Sequence, residues 1–144
     1  MKIKELKKQL FDIFPLNLQE SYDNCGLTIG DEEREISNIL VTLDVTEALV
    51  DEAIERNCNV IVAHHPIVFR GLKSFRGDNY VERCLIKAIR HEIAIFALHT
   101  NVDNSENGTS FELAKVMELE ELEPLGRDGD KAVGCMGIYS GNRD

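Results

Sequence analysis

This chain predicts an α/β fold: a mostly parallel sheet sandwiched by helices and built from βαβ units. Three observations carry that prediction. Runs rich in Ile, Val, Leu and Ala at 36–43, 59–66 and 93–98 are strand-like, and an amphipathic segment separates each from the next. The runs are nearly continuous in apolar residues, as strands covered on both faces are. Strand, helix, strand at this spacing is the signature of a right-handed parallel crossover. At 144 residues the chain has the size of one ordinary domain, so residues 1–144 are read as a single α/β domain.

In chain order, Ile3, Leu6, Leu10, Ile13 and Phe14 recur at helical spacing with Lys and Glu between them, and Pro15 stops the pattern. Residues 16–26 read as irregular and end in the turn-type cluster Ser21-Tyr22-Asp23-Asn24-Cys25-Gly26, before a short strand at 27–29. An acidic loop at 31–35 leads to the strand 36–43. Thr46 then caps a helix running through Asn57, with Leu49, Val50, Ala53 and Ile54 as its buried stripe. After the strand 59–66 comes a loop, 67–78, followed by a helix marked by Val81, Cys84, Leu85, Ala88 and Ile89. The strand 93–98 follows at once. A polar loop at 101–108, a helix at 110–117 and strands at 119–125 and 133–139 complete the expectation.

Composition narrows the function classes. The formal charge is -10 and the pI near 4.8, a balance that repels phosphate backbones and argues against nucleic acid or an anionic membrane as partner. No apolar run approaches a bilayer span, and the amino terminus opens with alternating charge, so a cytoplasmic protein is expected. Cys25, Cys58, Cys84 and Cys135 are widely spaced, form no CxxC pair and read as reduced thiols.

Chemistry concentrates where the strands end. The run at 59–66 closes in His64-His65-Pro66, and the run at 93–98 closes in His99-Thr-Asn-Val-Asp103. Sites in open α/β sheets lie outside the carboxyl ends of the parallel strands. Parallel neighbours would therefore bring Asp44, His64, His65, His99 and Asp103 to one edge. Consecutive residues of a regular strand face opposite ways, so His64 and His65 suit two ions better than one. Two ions roughly 3.5 to 4 Å apart are a recurring hydrolytic device. His and carboxylate ligands favour zinc, iron or manganese.

Each residue also has a plainer reading. A His-His pair can cap a strand or bond backbone carbonyls, Asp44 can cap the helix after it, and Asp103 can serve an Asx turn. His91 reads as a helix-end dipole contact or a solvated residue. Arg70, Lys73 and Arg76 make either a solvated loop or a receiver for an anionic substrate, since their loop leaves directly from Pro66. No GxxxxGK, GxGxxG or GxSxG motif is present.

Four segments in order, Ser21-Tyr-Asp-Asn-Cys-Gly-Leu27, Leu43-Asp-Val-Thr-Glu47, His64-His-Pro66 and His99-Thr-Asn-Val-Asp103, resemble the Nif-three-like dinuclear metal-centre family, which includes type 2 GTP cyclohydrolase I homologues. The likeness covers about residues 1–120. It implies an α/β fold, ring-shaped homohexamers and two divalent ions held in part by His64, His65 and Asp103. His99 is implied at the edge of the site, as a supporting group or an occasional ligand, and Asp44, Asp23 and Asn24 are candidates to line it. Tyr22 stands where the family usually carries tryptophan.

One departure is larger. The family completes its site with a His-x-x-x-Glu motif, whereas this sequence has no histidine after His99. The chain is therefore expected to be either the amino-terminal portion of a longer member or a shortened relative. Two activities follow. One is a metal-dependent hydrolase, with metal-activated water attacking a nucleotide, phosphate ester or other anionic substrate. The alternative is a non-enzymatic metal-binding scaffold, or a fragment that needs a partner to finish its site.

Overall fold

The computed structural model describes residues 1–126 and 129–141. Helix α1 (Ile3–Ile13) opens the chain, followed by a single 3-10 turn at Leu16–Leu18 and strand β1 (Gly26–Ile29). Then come β2 (Ile39–Thr42), α2 (Glu47–Glu55), β3 (Val60–Ala63), α3 (Tyr80–Arg90) and β4 (Ala94–Ala97). The short helix α4 (Thr100–Asp103), α5 (Thr109–Val116), β5 (Leu119–Leu125) and β6 (Gly134–Tyr139) follow.

The main sheet has the order β1-β4-β3-β2. The three strands expected to be parallel neighbours are so: β2 pairs with β3, and β3 with β4, in parallel register. Only β1 runs antiparallel, along the outer side of β4. Both crossovers use the helices that the hydrophobic spacing predicts. Thr46 caps α2 by accepting from the Leu49 N–H at 3.2 Å, and Asn79 caps α3 by accepting from the Glu82 N–H at 2.9 Å.

Helices cover both faces. On one, Val50 and Ala53 of α2 and Cys84, Leu85 and Ala88 of α3 bury Ile61, Ala63 and Ile95. On the other, Ile3 and Leu6 of α1 bury Val60, Val62, Ala94 and Phe96. Every residue of β3 and β4 is buried, which is why their sequences show no polar alternation. The pair β5-β6 forms a separate antiparallel ribbon packed against α5.

Two expectations are corrected. The strand expected from residue 36 begins at Ile39, because the preceding segment is tied to the amino terminus instead: the Ile36 N–H donates to the Met1 carbonyl, and Lys2 bridges Glu35. Residues 101–108 are not all loop, since α4 occupies the first of them. Asn101 is wholly buried there, accepting from the His99 N–H at 3.0 Å and donating to the Phe14 carbonyl at 2.8 Å. The four cysteines are free thiols. No helix among the described residues is long and apolar enough to cross a membrane.

Candidate metal centre

The parallel register aligns the ends of β2, β3 and β4, and their extensions form the site. Beyond Ala63 the ladder continues for two residues, with the His64 and His65 N–H groups donating to the carbonyls of Thr42 and Leu43. The chain leaves regular pleating there, and the consecutive imidazoles, which a pleat would splay, lie with ring centroids 4.9 Å apart at 57°. His99 leaves the end of β4 as the residue before α4. Its ring stands 5.2 Å from that of His64 and 5.6 Å from that of His65. One nitrogen from each of the three lies within 4.8 Å of the others.

Two carboxylates fix the orientation of two of these rings. Asp44 Oδ1 lies 2.8 Å from His65 Nδ1, and both oxygens of Asp23 lie 2.9 to 3.0 Å from His99 Nδ1. An ionised carboxylate only accepts, so each Nδ1 carries the hydrogen, and in the neutral ring Nε2 is then the nitrogen with the lone pair. That arrangement orients histidine toward a metal and strengthens it as a ligand. Asp44 thus partners His65, while the capping of α2 falls to Thr46.

The Asp23 side chain has no solvent exposure. Burial alone would raise its pKa. Hydrogen bonds from His99, the Thr100 hydroxyl and the N–H groups of Asn24 and Thr100 outweigh burial and hold it well below the usual carboxylate range. Asp103, four residues after His99 on α4, places Oδ2 3.7 Å from His64 Nε2 and takes the Thr109 hydroxyl on Oδ1 at 2.6 Å. Three imidazoles flanked by a carboxylate form a donor set suited to zinc, iron or manganese, and the chain's own residues therefore fit a divalent ion.

The other candidates separate. Asn24 donates to the Val68 carbonyl at 2.7 Å, tying the loop 67–78 to the turn that carries Asp23. Arg70 and Lys73 are exposed and form no ion pair among the described residues. Arg76 pairs with Asp78 and lines a cavity of about 520 Å³ between α2 and α3, together with Glu47, Arg83 and Arg90. Arg70 and Lys73 are not among the residues that line this cavity.

The sequence does not single out Phe69, whose ring stands 6.5 Å from that of His99 and 6.3 Å from that of Tyr22, the residue in the family's usual tryptophan position. Nor does it single out Thr100 and Thr109, which hold Asp23 and Asp103. Thr100 had a visible signal in following His99 directly, but nothing local pointed to Phe69.

Residues 1–141 match the family model Duf34/NIF3, NGG1p interacting factor 3. The chain belongs to the Duf34/NIF3 family. A GTP cyclohydrolase 1 type 2 homolog of Staphylococcus aureus is 39% identical over 130 residues, a match covering 90% of this chain and 35% of the relative. Its counterpart in Clostridium acetobutylicum is 35% identical over 138 residues, covering 96% and 51%. The chain thus spans between a third and about half of the length of these relatives. The crystal structure of Staphylococcus aureus protein SA1388 superposes with a TM-score of 0.84 at 40% identity, covering 89% of this chain and 36% of that one. Reduced HcgD from Methanocaldococcus jannaschii gives 0.80 at 27% identity, covering 91% and 52%. The α/β fold of this Duf34/NIF3 chain is therefore that of its solved relatives.

Proposed function

We propose that this chain carries the metal-binding part of a dinuclear hydrolase, with His64, His65, His99 and Asp103 as ligands to divalent zinc, iron or manganese. The observation behind this reading is the convergence of three imidazoles, two with Nδ1 committed to a carboxylate and Nε2 left to coordinate. Bound ions would supply Lewis acidity toward water and an anionic substrate. The chain's own groups do the rest: Asp23 and Asp44 hold the rings, Asp103 accepts near His64, and the exposed Arg70 and Lys73 attract a nucleotide or phosphate ester. The naming of the relatives as GTP cyclohydrolase homologs agrees with a nucleotide substrate. The family resemblance favours a homo-oligomer, a hexamer, and the free thiols favour the cytoplasm.

A second reading rests on the ligand count. Four donors fall short of the roughly three protein ligands that catalytic ions commonly take apiece, and the relatives are longer. A metal-binding scaffold, or a site completed by further polypeptide, meets both facts. Elemental analysis of purified protein and of the His64→Ala and Asp103→Ala variants tests the site: metal should bind to the wild type and fall in both. Unchanged metal in both variants overturns the ligand assignment. Release of product from a panel of nucleotides and phosphate esters separates hydrolase from scaffold.

A further inference from the structure

Tyr22 and Phe69 are large aromatics left 65% and 48% exposed beside the histidine cluster. Neither belongs to the packed core on either face of the sheet. Their rings meet at 6.3 Å and 58°, and Phe69 presents itself edge-on to His99 at 84°. Both lie in backbone that is tied next to the metal centre. Tyr22 precedes Asp23, the partner of His99, and Phe69 follows Val68, whose carbonyl is tied by Asn24. Arg70, exposed and without an ion pair among the described residues, comes next in the same loop.

We propose that Tyr22 and Phe69 form a stacking wall that selects substrates carrying a planar aromatic or heteroaromatic ring joined to an anionic group. The ring lies on the wall and the anion reaches toward the histidines and Arg70. This deepens the hydrolase reading above and rests on it for the fate of the anion, but not for recognition of the ring. Aromatic side chains normally bury 150–250 Å² each, so leaving two exposed side by side relinquishes core packing in favour of a surface contact. Every nucleobase has a π face that such a surface accepts without a specific hydrogen bond. Because the two rings are tilted, a ligand ring that stacks on one meets the edge of the other, an arrangement that aromatic groups favour. A small phosphate ester without a ring would leave the wall wet.

The test is calorimetric titration of the purified chain, metal-loaded and metal-free, with AMP, UMP and ribose 5-phosphate. The last carries the same sugar and anion with no ring. AMP should bind at least about tenfold more tightly than ribose 5-phosphate, with UMP between them, as expected for stacking on an aromatic surface. Phe69→Ala and Tyr22→Ala should each remove most of that advantage while leaving ribose 5-phosphate affinity, metal content and thermal midpoint unchanged, and Tyr22→Trp should retain it. Equal binding of AMP and ribose 5-phosphate overturns the proposal. So does undetectable AMP binding at millimolar concentration, or an AMP preference that survives both alanine variants. Failure of the metal reading looks different: the wild type binds no metal, yet the base preference persists in the metal-free protein.

Discussion

The sheet of this protein has a body and a tip that obey different rules. In the body, Val60–Ala63 and Ala94–Ala97 are buried on both faces and carry no polar side chain. At the tip, within two residues, are His64, His65 and His99, with side chains 24%, 47% and 21% exposed; carboxylates hydrogen-bond His65 and His99, and one faces His64 at 3.7 Å. The contrast teaches that the energy holding the fold and the groups available for chemistry are separated along the strand axis. The body can fix the positions of the tip without the tip contributing much to stability.

The sharpest attempt to break this partition is at its centre. Phe96 is completely buried beneath α1, and Phe96→Ala should cost about 3–5 kcal/mol, read as a fall in the urea midpoint. The second effect falls on the junction. Asp23→Ala strands the Thr100 N–H and hydroxyl and the His99 Nδ1–H in a partly buried place. It should cost about 1–3 kcal/mol and weaken metal binding by about 10–100-fold, so one variant registers on both scales.

A third effect depends on pH. Glu82 is buried and accepts from the N–H groups of Arg76, Gly77 and Asp78 and from the Asn79 amide. The backbone bonds from Arg76 and Asp78 chiefly hold its pKa below the ordinary 4.5. A depressed folded-state pKa means that its contribution is complete above the unfolded value and is lost as pH falls through the folded one. Wild-type protein should therefore lose more stability than Glu82→Gln between neutral and acid urea titrations. Equal losses would show that the carboxylate is not what holds the loop.

The smallest effect on stability belongs to the tip: His64→Ala, measured without metal, should move the midpoint by less than about 1 kcal/mol while abolishing metal uptake. A loss approaching that of Phe96→Ala would refute the partition.

How much of this was legible follows the same division. The body announces itself locally, because strands buried on both faces write continuous apolar runs and the crossover helices write a 3.6-residue period. His64-His65-Pro66 was legible as an interruption of such a run. Asp23 as the partner of His99 was not, because 76 residues separate them. Their meeting depends on β1 pairing antiparallel with β4, with Gly26 opposite Ala97. The helix α4 was hidden because Asn, Asp and Ser read as turn residues. It forms because Asn101 finds buried partners in a distant part of the chain. Phe69 was hidden because a loop's path is written in tertiary hydrogen bonds.

The loop 67–78 is tied at both ends, by Asn24 to the Val68 carbonyl and by Glu82 to the three N–H groups from Arg76 to Asp78. A loop held this way gives up its conformational entropy during folding and not on binding. Phe69 and Arg70, one and two residues beyond the first tie, are then largely preorganised when a ligand arrives. In kinetic terms, association should not wait on loop closure, and differences in affinity among ligands should appear as differences in how long they stay.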